Sequence, residues 1–183
     1  MKKILVVVDM QNDFIDGVLG TQEAQSIIPN VVAKIKSYIQ QGYPVYFTKD
    51  IHEEDYLTTQ EGKNLPVEHC IRGTLGSKFN KEILKFVKSI QQNTLQAIIF
   101  EKNGFGSEQL PQYIKNTLIE NEEVEIEVVG VCTDICVITN SLVLKTFLPE
   151  AKIVVDSSCC AGVTIAKHNN ALEAMKSCQI EIV

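Results

Sequence analysis

Polar and reactive side chains recur at or just beyond the ends of short apolar runs of this sequence: Asp9 after Ile4–Val8, Asp50 after Val45–Thr48, Glu101 and Lys102 after Ala97–Phe100, and Cys132 to Cys136 beyond Val124–Val129. A carboxylate, an ammonium and a thiol brought together form a nucleophilic set. The thiol attacks as the thiolate, and it needs a base and a nearby positive charge to lower its pKa. Cys136 gains further if it opens the helix suggested by Val137-Ser141-Leu144, since a helix N-terminus favours an anion. Each residue also has a plainer role open to it: Asp9 or Asp134 as a cap, Lys102 as a solvated strand end, Cys136 as a small core residue. Those plain roles would have to coincide at every one of these strand ends.

A second set falls between Ile51 and Gly76, a polar, turn-rich stretch longer than a usual connection. Asp50 and His52 lie on one face of an extended segment, and His69 follows just before the turn-like Arg72-Gly73-Thr74. Carboxylate and imidazole together suit zinc, iron or manganese. A surface histidine beside a helix cap is the plain alternative. His168 sits in a helix-like stretch and reads as structural. Gly104-Phe105-Gly106 lacks the third glycine of a phosphate loop, and the acidic run Asn121-Glu122-Glu123 reads as a solvated turn.

These residues need a scaffold that gathers strand ends. The β-branched runs, which continue with Ile153–Val155 and Ile180–Val183, alternate with segments of helical periodicity. Examples are Ile27-Val31-Ile35-Ile39, Ile83-Phe86-Val87-Ile90 and Leu110-Ile114-Leu118. Apolar strands alternating with amphipathic helices predict an α/β fold: a three-layer sandwich with a mainly parallel sheet flanked by helices. Ligands of such sheets sit beyond the carboxyl ends of the strands, where the reactive residues fall.

The bulk properties narrow the function classes. A chain of 183 residues, 45% hydrophobic and 22% charged, is expected to form a single domain over residues 1–183. A net charge of −6 offers no basic footprint for nucleic acid or an anionic membrane, and neither is expected as a partner. Met1-Lys2-Lys3 before Ile4–Val8 imitates a signal peptide, but the apolar run ends at Asp9 and reads as a buried strand. The six cysteines have neither the spacing of a disulfide framework nor that of a zinc ribbon, and suit a reducing cytoplasm. Cys70, Cys159, Cys160 and Cys178 read as small buried hydrophobes. Oligomeric state is left open.

The sequence resembles the isochorismatase-like cysteine hydrolases, and within them the nicotinamidases. The resemblance is carried by Val8-Asp9-Met10-Gln11-Asn12-Asp13-Phe14, Lys49-Asp50-Ile51-His52, Pro66 to Thr74 with His69 inside it, Lys102, and Gly130-Val131-Cys132-Thr133-Asp134-Ile135-Cys136-Val137. Asp156 to Gly162 and Ala171 to Met175 extend it towards the end of the chain. It implies a Rossmann-like topology, a catalytic triad of Asp9, Lys102 and Cys136, and an oxyanion hole from the backbone N–H groups of Cys132 and Cys136, with a cis peptide between Val131 and Cys132. It also implies one divalent metal ion, zinc before iron or manganese, held by Asp50, His52 and His69 with Glu61 as the fourth ligand. The implied activity is hydrolysis of nicotinamide to nicotinate and ammonia through a cysteine thioester, with a place in NAD salvage. The family's pocket often carries a tryptophan that this chain lacks, which leaves Phe14 and Phe105 as the expected aromatic wall. Isochorismatases proper lack the cysteine, so Cys136 argues against vinyl-ether hydrolysis. The alternatives are a related amidase acting on another small amide or ureido compound, and a catalytically silent binding protein.

Overall fold

The computed structural model describes residues 1–92, 98–119 and 122–183; Ala97 and Asn121 lie outside them. Six parallel strands form one sheet: β1 (Lys2–Val8), β2 (Val45–Asp50), β3 (Ile98–Lys102), β4 (Val124–Val131), β5 (Lys152–Ala161) and β6 (Glu181–Ile182). Their order is β3-β2-β1-β4-β5-β6. The chain winds outwards from β1 in one direction, then returns to the other side of β1 with β4. The carboxyl ends of β1 and β4 therefore flank the topological switch point, where loops part and leave a crevice.

The helices are α1 (Asn12–Ile15), α2 (Gln22–Ser26), α3 (Ile28–Gln40), α4 (Gln60–Asn64), α5 (Lys81–Gln92), α6 (Gln109–Thr117), α7 (Ile138–Phe147) and α8 (Ile165–Ser177). Alternation along β1 divides the core. Leu5 and Val7 pack with Val31 and Ile35 of α3 and with Ile83 and Val87 of α5. Ile4, Val6 and Val8 face Leu110 and Ile114 of α6, Leu144 of α7, and Leu172 and Met175 of α8. This is the three-layer arrangement that the sequence periodicity predicts, with the sheet wholly parallel among the described strands. No helix among the described residues is long and apolar enough to cross a membrane.

Several details differ from the sequence reading. β5 runs through Asp156, Ser157 and Ser158, although these polar residues interrupt the apolar pattern. Their groups are satisfied in place: Asp156 accepts from Lys34 Nζ of α3 at 2.8 Å and from the Ser158 hydroxyl at 2.7 Å. The stretch from Ile51 to Gly76 is not all loop, since it holds a 3-10 turn (Tyr56–Thr58) and α4. Cys178 is exposed rather than buried, because it follows the last turn of α8, beyond the buried Met175.

Where β4 passes β1 the contact is tight. Gly130 has φ +123°, and a Cβ there would lie 2.1 Å from the Val8 carbonyl oxygen. Only glycine has both this conformation and this lack of bulk. The close approach brings the end of β4 against the residue that precedes Asp9.

Candidate active site

The chain leaving β1 supplies more than one functional side chain. Asp9 turns into the left-handed region at φ 49°, a conformation that aspartate tolerates better than most residues. Two residues on, the fully buried Gln11 reaches across to β2. Its Oε1 accepts from the Asp50 N–H at 2.7 Å, and its Nε2 donates to the Asp50 carbonyl at 2.8 Å and the Ser77 carbonyl at 3.0 Å. Asp13 accepts the Cys70 N–H at 2.7 Å, fixing the backbone next to His69. Phe14 meets the His69 ring edge-on at a centroid distance of 5.5 Å. One short run thus delivers Asp9 and secures both Asp50 and the His69 segment.

Asp9, Lys102 and Cys136 come together at the switch point. Lys102 Nζ lies 2.7 Å from Asp9 Oδ2 and 3.6 Å from Cys136 Sγ, and Thr48 donates its hydroxyl to Asp9 Oδ1 at 2.7 Å. All three site residues are buried. Burial pushes the Asp9 carboxyl up and the Asp50 charge adds to this, so that Lys102 only partly offsets the rise. Lys102 is held firmly protonated, because the carboxylates of Asp9 and Asp50 outweigh the effect of its burial.

The thiol corrects one expectation. Burial, with the Asp9 charge adding to it, pushes the Cys136 thiol well above its ordinary range, and Lys102 does not reverse this. The resting group is therefore a thiol, and its proton must leave as it attacks. Burial also pushes Cys132 up to about 12 and Cys159 up to about 11. A perturbed pKa does not single out Cys136; its contact with the Lys102–Asp9 pair does.

Cys136 sits in a π turn (Thr133–Val137) that leads into α7. The turn wraps around the Cys132 carbonyl, which accepts the N–H groups of Ile135 at 3.1 Å and Val137 at 3.0 Å. The Val131–Cys132 peptide is cis, as the resemblance implies. Buried Asn140 ties the turn to the next loop, donating to the Cys136 carbonyl at 2.8 Å and accepting the Ser107 N–H at 3.0 Å. Asp134 plays the plain part, accepting the Val163 N–H at 2.9 Å, and His168 bonds the Thr133 hydroxyl at 2.8 Å. Glu101 turns away from the site to pair with Arg72 at 2.9 Å, because strand alternation sends only one of Glu101 and Lys102 inwards.

Beside the triad, Asp50, His52 and His69 present ligand atoms within 4.8 Å of one another. His52 Nε2 lies 3.0 Å from Asp50 Oδ2, and Glu61 Oε1 stands 3.7 Å from His52 Nε2 and 3.9 Å from His69 Nε2. His69 Nδ1 faces the Val67 carbonyl at 2.8 Å, a bond that commits its proton there and leaves Nε2 as a lone pair. His52 Nε2 is buried and, although it faces Asp50 Oδ2 at 3.0 Å, is not aligned for a hydrogen bond there. Burial favours the neutral form of Asp50, yet His52 and Lys102 hold its carboxyl below the ordinary range. Glu61 is aimed by α4, which Thr59 caps and whose Gly62 packs so closely on Tyr56 that a Cβ would lie 2.0 Å from the Tyr56 carbonyl oxygen. An orphaned imidazole nitrogen, a fixed tautomer and two carboxylates fit a divalent cation.

Both groups open into one cavity of about 250 Å³, whose lining includes Cys132 and Cys136 together with Asp50, Glu61 and His69. Phe14 and Phe105 are both in its lining, and Phe105 is half exposed. The sequence reading missed Leu19, Ile135, Val163 and Lys167, which also line it. Nothing in their spacing marks them, since each reaches the pocket from a different loop or helix.

Comparison with known proteins bears on this arrangement. Residues 3–183 match the family described as the isochorismatase domain. A nicotinamidase/pyrazinamidase of Mycobacterium tuberculosis is 26% identical over an alignment covering 99% of this chain and 98% of that protein. The pyrazinamidase of Pyrococcus horikoshii, solved in complex with zinc, superposes with a TM-score of 0.79 at 24% identity, over 100% of this chain and 99% of that one. An N-carbamoylsarcosine amidase from Thermoplasma acidophilum superposes with a TM-score of 0.75 at 21% identity, over 100% and 95%.

Proposed function

The chain belongs to the isochorismatase domain family, and from that premise we propose that it is a cysteine amidohydrolase converting nicotinamide to nicotinate and ammonia. The observation that carries the reading is the shared cavity, where Cys136 faces the same space as Asp50, Glu61 and His69. At about 250 Å³ the cavity is smaller than a drug-sized site and suits a single-ring amide.

In the reaction Asp9 takes the Cys136 proton as sulfur attacks the amide carbonyl. The upward push on the Asp9 carboxyl suits it to a base that must later act as an acid. Lys102, 2.7 Å from Asp9 and 3.6 Å from Cys136, balances the negative charge as it moves between them. The N–H groups of Cys132 and Cys136 receive the oxyanion, a contribution of a few kcal/mol at most such sites. The C–N bond then breaks, and the proton held by Asp9 leaves with the nitrogen as ammonia. Asp9 next takes a proton from water, whose oxygen attacks the thioester, releasing nicotinate and returning the thiol.

Asp50, His52, His69 and Glu61 would hold the divalent ion, zinc before iron or manganese. When bound, it supplies a Lewis-acidic point that a pyridine nitrogen can recognise. Phe14 packs against His69 and gives the ring an apolar edge. Another small amide or a ureido compound would use the same triad without needing the ligand cluster, which therefore favours the pyridine carboxamide. Six free cysteines suit the reducing cytoplasm, where the product would serve NAD salvage. A steady-state ammonia-release assay tests the reading: nicotinamide should be turned over and Asp9→Asn should lose that activity. Turnover of ureido substrates alone would replace nicotinamide as the substrate, and an inert wild type would sink the enzyme reading.

A further inference from the structure

A second cavity, of about 550 Å³, adjoins the ligand cluster, and it is polar where the pocket of Cys136 is apolar. The two linings have only Glu61 in common: His52 and Lys102 belong to the polar cavity, Asp50 and His69 to the apolar one. The ligand cluster is therefore the partition between them. The polar cavity also grades in depth. The side chains of Glu53, Arg72 and Glu101 are 62%, 52% and 48% exposed, whereas that of His52 is 6% exposed. Carboxylates of Glu53, Asp55, Glu61 and Glu101 outnumber the cations Arg72 and Lys102 in the lining, and Lys102 is already paired with Asp9. At the outer end Arg72 bridges Glu53 at 2.8 Å and Glu101 at 2.9 Å. At the inner end stands His52, whose buried Nε2 faces Asp50 Oδ2 at 3.0 Å without a hydrogen bond.

We propose that this acidic cavity is the route by which the divalent ion reaches its ligands, with Arg72 as a clasp across the mouth, so that metal loading is separate from substrate access. The inference rests on the reading of Asp50, His52, Glu61 and His69 as the metal ligands. A hydrated cation travels through a polar space that lowers its potential more readily than past the apolar wall of Phe14, Leu65 and Phe105. The first ligand it meets is the His52 imidazole, whose Nε2 faces Asp50 Oδ2 across the cluster.

The test is the rate at which apo-protein, stripped with a chelator, takes up Co²⁺ in stopped flow, followed by the visible absorption of the bound ion. In an Arg72→Gln background, where the clasp is absent from both proteins, adding Glu53→Gln with Glu101→Gln should slow association about 10-fold at low ionic strength, the low end of what charge steering produces. The difference should shrink at high salt. Arg72→Gln should speed association, because it removes the clasp and a positive charge together. Once loaded, these variants should release ammonia at the wild-type rate, since none of their altered side chains touches the triad. In Cys178→Ser protein, alkylation of Cys136 should leave the uptake rate unchanged. Equal rates with and without the two carboxylates in the Arg72→Gln background at low salt, or uptake blocked by alkylation, would overturn the route while leaving the metal site standing. A wild type that binds no Co²⁺ would remove the site and the route together.

Discussion

Replacing Lys102 by methionine tests the buried charge pair on which the chemistry rests. The side chain keeps its length and loses its charge, leaving Asp9 in a site where it is 0% exposed and where Lys102 had stood 2.7 Å away. Removing one partner of such a pair costs about 3–5 kcal/mol, because the remaining charge is left uncompensated in a poorly polarisable interior. At roughly 2.1 cal/mol/K per residue, a chain of 183 residues unfolds with an entropy of about 0.38 kcal/mol/K, so the loss becomes a fall in Tm of roughly 8–13 °C. Asp9→Asn combined with Lys102→Met removes the stranded charge and keeps an acceptor for the Thr48 hydroxyl. It should recover at least half of that fall, although both variants should be inactive. Calorimetry in the presence of a chelator, which fixes the metal state, measures the complete cycle. If Lys102→Met melts with the wild type, or if the double variant is no more stable than Lys102→Met, the pair does not carry the energy assigned to it.

Cys136→Ala should abolish ammonia release with Tm within a degree or two of wild type. Iodoacetamide mapped by mass spectrometry should label the exposed Cys178 first, and preferential labelling of Cys136 would show a resting thiolate after all. Gln11→Leu strands the Asp50 N–H and carbonyl, so Co²⁺ affinity measured by chelator competition should fall about 10–100-fold, as it does when second-layer partners of metal ligands are lost; unchanged affinity would remove Gln11 from the metal site. Benzamide, which lacks the ring nitrogen, should be a much poorer substrate than nicotinamide, and chelation should narrow the difference; equal kcat/KM for both amides would count against a metal-oriented ring. Gly130→Ala should destabilise the fold by several kcal/mol, since the new methyl meets the Val8 carbonyl at a positive φ; a soluble variant with wild-type Tm would contradict the close approach of β4 to β1.

The sequence by itself determined the layers and the edge at which the chemistry gathers. Apolar runs such as Ile4–Val8 and Val124–Val129, separated by helices of 3.6-residue periodicity, leave a parallel sheet as the arrangement that buries both faces of each strand. All strands of a parallel sheet end on the same side, so Asp9, Asp50, Lys102 and the segment from Cys132 to Cys136 could be placed together before any coordinates were known. The pairing of Asp50 with His52 was legible for the same reason, from the alternation of an extended chain. Glu61, by contrast, rested on resemblance alone.

Tertiary structure decided what depends on distance and burial. Gln11 reads as an ordinary polar residue until the neighbouring strand puts the Asp50 backbone beside it. Glu101 and Lys102 are adjacent and both charged, and only the register of β3 sends one to solvent and the other into the site. The second cavity exists only because residues from the segment that follows β2, from α4, from around Arg72 and from the end of β3 meet around it. The state of the thiol follows the same rule. The sequence supplied a base and a cation for Cys136, but the balance between Lys102 and burial depends on how completely water is excluded, and exclusion of water is a property of the packed whole.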